Sequence, residues 1–222
     1  MRDAPKNPAQ STAGAPVIFD TRREIDRADE DLWVFGYGSL MWRPGFAFEE
    51  RVPARLVGLH RALCVYSFVH RGTPEQPGLV LGLDRGGTCR GIAFRVDKTR
   101  RADTLAYLRE REQTTNVYLE LLRPVTLLDD PTLERGAGAG ERRVRALVYA
   151  VDRSHPQYAG RLDLDAQVRL VRQGHGQSGP NRDYVLSTVR EIEAQGCHDA
   201  KLHLLARRLT AGHETPGATP AA

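Results

Sequence analysis

The sequence predicts an α+β fold with a mixed or closed sheet. Short apolar, β-branched and aromatic runs dominate the first half of the chain, and helical patterns follow later. The two do not alternate strictly, which argues against a doubly wound parallel sheet. Leu32–Tyr37 reads as a strand stopped by glycine, and Arg55–Phe68 as one long bent strand or two. Gly78–Leu83 and Cys89–Val96 flank Asp84-Arg85-Gly86-Gly87 and predict a hairpin. Val117–Leu128 and Arg143–Val151 predict further strands around a flexible loop tip at Gly136–Gly140. Helices are expected over Thr99–Glu112, with apolar residues at Ala102, Leu105 and Leu108, and over Asp165–Gln173. Two more are expected, at Arg182–Ala194 with Asn181 as its cap and at Asp199–Leu209.

A chain of 222 residues suits one main domain, expected here over 31–210. Residues 1–30 read as a flexible N-terminal extension with room for a short helix near Thr21–Leu32, and 211–222 as a disordered tail. With 41% hydrophobic and 27% charged residues the chain is ordinary for a globular protein.

The formal net charge of +4 invites a nucleic-acid reading, but the basic residues are interleaved with acids, as in Asp20–Arg27. A phosphate-binding face should gather its charge on one side, so no nucleic-acid partner is expected. Cys64, Cys89 and Cys197 are widely spaced, without a C-x-x-C or His/Cys cluster, so neither zinc nor a disulfide framework is expected. The N-terminus lacks the apolar segment of a signal peptide, and no run approaches the roughly 18 apolar residues of a membrane span. A cytoplasmic location, with no membrane partner, is the default expectation.

Four constellations have chemical potential. Phe35-Gly36-Tyr37-Gly38-Ser39-Leu40 ends an apolar strand, and its glycines let the backbone turn and approach a ligand closely. Successive N–H groups in such a turn can hold a carboxylate. A plain strand-terminal turn over a packed tyrosine is the alternative. In the expected Thr99 helix, about 100° per residue puts Leu105, Leu108 and Glu112 within about 60° of one another, while Glu110 faces the other way. A carboxyl aimed inward is costly unless paired or functional, so Glu112 is either a site residue or the partner of an arginine.

Gly174-x-Gly176-x-x-Gly179 matches the dinucleotide fingerprint formally, but it follows a helix pattern, not a strand, and no cofactor is expected from it. A helix–loop–helix corner fits better, with Tyr184 beyond it able to point into a site or into the core. Arg71, in the loop His70–Gly78, is placed to clamp a substrate carboxylate or simply to face solvent.

Taken together these strings resemble the ChaC-like γ-glutamylcyclotransferases. The resemblance rests on Leu32–Trp42, Arg71–Gly78, Ala106–Glu112, His155-Pro156-Gln157-Tyr158 and Ser178–Tyr184, in family order over about Asp31 to Leu209. It implies a compact mixed β-barrel flanked by α-helices, and a Tyr37-Gly38-Ser39-Leu40 segment that cradles a γ-glutamyl group. It implies that Glu112, after Arg111, is the acid/base, and that Tyr184 is a secondary site residue. The small-molecule substrate implied is glutathione, cyclised to 5-oxoproline with release of cysteinylglycine, without metal or cofactor. A cyclotransferase for other γ-glutamyl amines or amino acids, or a non-catalytic regulator associated with cation transport, is the alternative. The chain departs from the family pattern at Thr114–Tyr118, where a glycine is usual before the tyrosine, and at Gly179-Pro180-Asn181.

Overall fold

The computed structural model describes residues 21–27, 29–112, 116–128 and 142–211. The segments 1–20 and 212–222 and the loop tip at 136–140 lie outside the described residues.

Strands β1 (Leu32–Gly36), β2 (Glu50–Ser67), β3 (Gly78–Val96), β4 (Tyr118–Leu127) and β5 (Arg143–Val151) close into a barrel in the order β1-β3-β2-β4-β5. The β1–β5 seam is parallel, with Trp33 opposite Ala146 and Val34 opposite Leu147, and the neighbouring ladders are antiparallel. The sheet is therefore mixed and closed, as expected.

β1 is apolar without interruption because both of its faces are covered. Trp33 and Phe35 join the large core shared with helices α3 (Leu164–Gln173), α4 (Asn181–Ala194) and α5 (Ala200–Thr210). Leu32 and Val34 join a second core beneath α1 (Thr21–Arg27) and α2 (Arg101–Glu112). Ile25 of α1 is fully buried there, so part of the expected extension packs against the barrel.

The expected hairpin at Asp84–Gly87 does not form. β3 runs straight through it and pairs with β2 from Ser67↔Gly78 to Glu50↔Arg95. The glycines serve a bulge instead. Gly58, Gly86 and Gly87 have φ of +90°, +90° and +71°, and the ladder shifts register between Val57 and Leu59. A bulge bends two long strands around a barrel while keeping them paired.

α2 begins later than expected, after a 3-10 turn at Lys98–Arg100 that Asp97 caps through Thr99 N–H at 2.8 Å. Ala102 is exposed; the buried face is Arg101, Thr104, Leu105 and Leu108. Arg101 is tolerated inside because its guanidinium donates to the Ile25 and Glu30 carbonyls, which fastens α1. Asn181 is not the cap expected of it. It is fully buried, its Oδ1 accepts from Leu79 N–H at 2.7 Å, and its Nδ2 donates to the Leu79 carbonyl at 2.8 Å. The amide thereby replaces a strand neighbour for the first turn of β3's ladder. Asp163 and Asp199 cap α3 and α5.

The Gly174–Gly179 corner is a tight pair of two-residue strands, β6 (His175–Gly176) and β7 (Gly179–Pro180), between α3 and α4. A Cβ at Gly174 or Gly176 would strike the backbone of Arg71 or Val69. These glycines let the corner press on the 69–78 loop. Among the described residues no helix is long and apolar enough to cross a membrane.

Candidate active site

Beyond β1 the chain folds back at once. Ser39–Met41 is a 3-10 turn, and Met41 N–H bonds the Gly38 carbonyl at 2.9 Å. Any side chain at Gly36 would crowd Leu40, so the turn can sit directly over the strand end. The opening N–H groups of such a turn have no intrahelical acceptor.

A cavity is lined by this segment (Tyr37, Gly38, Ser39, Leu40), by Val80 and Leu81 of β3, and by Glu112 at the end of α2. Tyr118, Tyr149 and Tyr184 complete its wall. Six of the seven expected site residues thus meet in one place. Arg71 is not among the lining residues. Its guanidinium donates to the Ser178 and Pro180 carbonyls and lies 5.3 Å from the centre of the Tyr184 ring. It braces the wall behind that tyrosine.

Glu112 enters the cavity because the last turn of α2 continues the Leu105–Leu108 face. Its side chain is 18% exposed, while Glu110 lies on the exposed face. Glu112 lines the cavity and also meets an arginine, with Arg111 Nε 3.2 Å from its Oε1. Burial pushes the Glu112 carboxyl above its ordinary range, and the Arg111 charge pulls it partly back.

Four phenols surround that carboxyl, and each feels its charge. Burial, above all, raises Tyr37 and Tyr118 well beyond the usual phenol, and raises Tyr149 and Tyr184 as well. All four are neutral hydroxyls at pH 7. Tyr118 Oη donates to the Leu81 carbonyl at 2.7 Å, and Tyr184 Oη accepts from Leu81 N–H at 3.2 Å. Tyr149 Oη donates to Glu120 at 3.1 Å, and Glu120 takes a two-pronged contact from Arg109.

The turn is held from behind. Arg61, 5% exposed, donates from Nε to the Tyr37 carbonyl at 2.5 Å and from Nη2 to the Arg90 carbonyl at 2.7 Å. Arg111 holds it from the side through Ser39 Oγ at 2.8 Å.

Sequence reasoning missed Tyr118, Tyr149, Val80 and Leu81. The signal for the two tyrosines is cross-strand. Tyr118 pairs with Val151 and Glu120 with Tyr149, which puts both phenols on one face as diagonal neighbours. Among the described residues no three His, Cys, Asp or Glu side chains gather to hold a metal. The three cysteines are free and buried, and burial pushes the Cys64 thiol up to about 12 and the Cys89 thiol up to about 11.

Comparison with known proteins places the chain in a family. A family profile described as ChaC-like protein matches residues 32–211. The glutathione-specific γ-glutamylcyclotransferase of Escherichia coli K12 is 35% identical over 178 residues, 80% of this chain and 72% of that one. Human glutathione-specific γ-glutamylcyclotransferase 1 is 29% identical over 91% of this chain and 87% of its own length. The crystal structure of a yeast γ-glutamyl cyclotransferase specific to glutathione superposes with a TM-score of 0.69 at 23% identity, covering 84% of this chain and all of that one; it speaks for the barrel fold. With 180 contiguous residues matched by the profile and a close relative aligned over most of its length, this chain belongs to the ChaC-like protein family.

Proposed function

We propose that the protein is a γ-glutamylcyclotransferase that converts glutathione to 5-oxoproline and cysteinylglycine. The observation that supports this most is Glu112, a half-buried carboxyl with raised proton affinity, in one cavity with the Tyr37–Leu40 turn.

The reaction needs no external nucleophile. The α-amine of the γ-glutamyl group attacks its own γ-carbonyl, a five-membered ring closes, and the γ-amide C–N bond breaks. Both reactants belong to one molecule, so the protein has mainly to fold the substrate and move protons. A free α-amine has a pKa of about 8 and must lose a proton to attack. Glu112 takes that proton, and its raised affinity narrows the gap between donor and acceptor. The same carboxyl passes that proton to the departing nitrogen, then takes the second proton that the ring nitrogen still carries after attack and passes it on to the released amine. The two protons lost by the α-ammonium are thus the two gained by cysteinylglycine.

The N–H groups at Gly38–Leu40 and the neutral phenols supply donors for the substrate carboxylate or for the oxyanion of the tetrahedral intermediate. Arg71 acts on the substrate through the Tyr184 wall. The chemistry belongs to a reducing compartment such as the cytoplasm, where the three free thiols also persist.

The test is release of 5-oxoproline from glutathione and, separately, from γ-glutamyl-alanine. Turnover of glutathione that is lost in Glu112→Gln supports the assignment. Preference for γ-glutamyl-alanine would move the substrate to other γ-glutamyl compounds. Turnover of neither, with both compounds bound, would make the cavity a sensor.

A further inference from the structure

A second cleft, larger than the first at about 750 Å3, lies over the β2–β3 bulge and reaches the start of α5. Its walls present six cations, Arg61, Arg85, Arg90, Arg153, Arg161 and Lys201, against two carboxylates, Asp84 and Asp199. The surplus of four positive charges matches the formal net charge of the whole chain. The clustering is invisible in the sequence, where these residues are spread over 140 positions from 61 to 201. It meets the criterion that the interleaved sequence failed, a basic charge gathered on one face.

The two carboxylates are already engaged. Asp84 is 2% exposed and accepts from Arg153 Nε at 2.6 Å, Tyr158 Oη at 2.9 Å and Arg85 N–H at 2.8 Å. Asp199 accepts from Leu202 N–H as the α5 cap and stands 3.5 Å from Arg61. In contrast Arg85, Arg90, Arg161 and Lys201 are exposed and make no ion pair among the described residues. Four cations aimed into one cleft repel one another until a multivalent anion enters. Arginine forks match phosphate oxygens two at a time. No Phe, Tyr or Trp lines the cleft; the rings among its lining residues are the imidazoles of His60 and His198, a small surface for stacking bases.

We propose that this cleft binds a compact polyphosphate anion, recognised by its charge and phosphate oxygens and not by a base. The site is separate from the Glu112 cavity, and the proposal stands independently of the reaction assigned there.

The experiment is calorimetric titration of inorganic triphosphate into the full chain at about 0.1 M salt. Saturable binding is expected, weakening steeply as salt rises. The triple variant Arg85→Gln, Arg161→Gln, Lys201→Gln should weaken it about tenfold or more, with the melting temperature and anion-free 5-oxoproline release unchanged. Arg169→Gln with Arg190→Gln, exposed arginines outside the cleft, should leave binding intact. Should the triple variant fold poorly, the three single variants are read in its place, each with a smaller loss. No saturable heat up to about 1 mM ligand, equal loss in the Arg169/Arg190 control, or undiminished binding in the cleft variants would each overturn the proposal. So would tighter binding of an RNA oligonucleotide than of triphosphate, which would make this face a nucleic-acid surface.

Discussion

Arg111 Nη2 donates to Ser39 Oγ at 2.8 Å while Nε of the same guanidinium stands 3.2 Å from Glu112 Oε1. One planar group thus joins the turn that lines the cavity to the carboxyl proposed to move the substrate's proton. Nη1 adds the Arg43 carbonyl at 2.6 Å and Tyr107 Oη at 2.9 Å. A lysine cannot reproduce this fork. Arg111→Lys should therefore lower kcat/KM by roughly 10- to 100-fold, the scale of a small misplacement in a positioned site. It should also move the acid limb of the kcat/KM–pH profile, as follows. Burial raises Glu112, and Arg111 is the charge that opposes it. With that charge held less closely, the limb should shift to higher pH. A drop in rate with an unmoved limb would reduce Arg111 to a structural tie.

Glu112 should cost stability where it is ionised. Its folded-state proton affinity is raised, so its stabilising contribution is complete below the unfolded carboxyl value near 4.5. That contribution is lost as pH rises through the higher folded value. Glu112→Gln keeps the shape and removes the charge. At pH 7 the variant should melt higher than the parent, by about 2–4 °C for each kcal/mol relieved, and the gap should close near pH 4. A lower melting temperature at pH 7 would mean that the Arg111 contact outweighs burial.

These features were unequally legible in the sequence. Glu112 could be found because helical periodicity places it on the Leu105–Leu108 face, and one helix suffices for that inference. β1 could be found because both of its faces are buried and every residue is apolar. The continuity of β3 could not, because Gly86-Gly87 reads as a turn until β2 supplies a bulge opposite it at Gly58. Tyr118 and Tyr149 depend on the β4–β5 register, and Arg71 depends on which backbone reaches it first. Each of these is a property of two segments distant in sequence, which local patterning does not encode.

Asn181 is one such residue, and its buried amide makes a sharp stability prediction. Asn181→Ala leaves the Leu79 N–H and carbonyl unpaired in a dry core, each at about 1–3 kcal/mol. Asn181→Asp keeps an acceptor for the N–H but opposes a carboxylate to the Leu79 carbonyl. The urea midpoint at pH 7 should fall in both, and at least as far in the Asp variant. Protonation should narrow the difference between the two on acidification, since a neutral carboxyl can again donate. An Asp variant as stable as the parent at pH 7 would show that water reaches this amide.

Gly45 should control the site without touching it. Its φ is +75°, and a Cβ there would run into the Tyr107 hydroxyl and ring. Tyr107 Oη accepts from Arg111 Nη1, so displacing the ring also loosens the guanidinium that holds Ser39 and Glu112. Gly45→Ala should destabilise the fold by about 1–3 kcal/mol and lower kcat/KM in the same direction as Arg111→Lys. The collision and the backbone strain are separable. In the double variant Gly45→Ala, Tyr107→Ala the clash is gone while the left-handed φ remains. Its loss of stability should therefore be smaller than the sum of the two single losses, a non-additivity readable in a urea double-mutant cycle. Its activity should stay low, because Arg111 has still lost the hydroxyl. Strict additivity in stability would mean that the alanine methyl never meets Tyr107, and activity restored in the double variant would sever the proposed link from Tyr107 through Arg111 to Glu112.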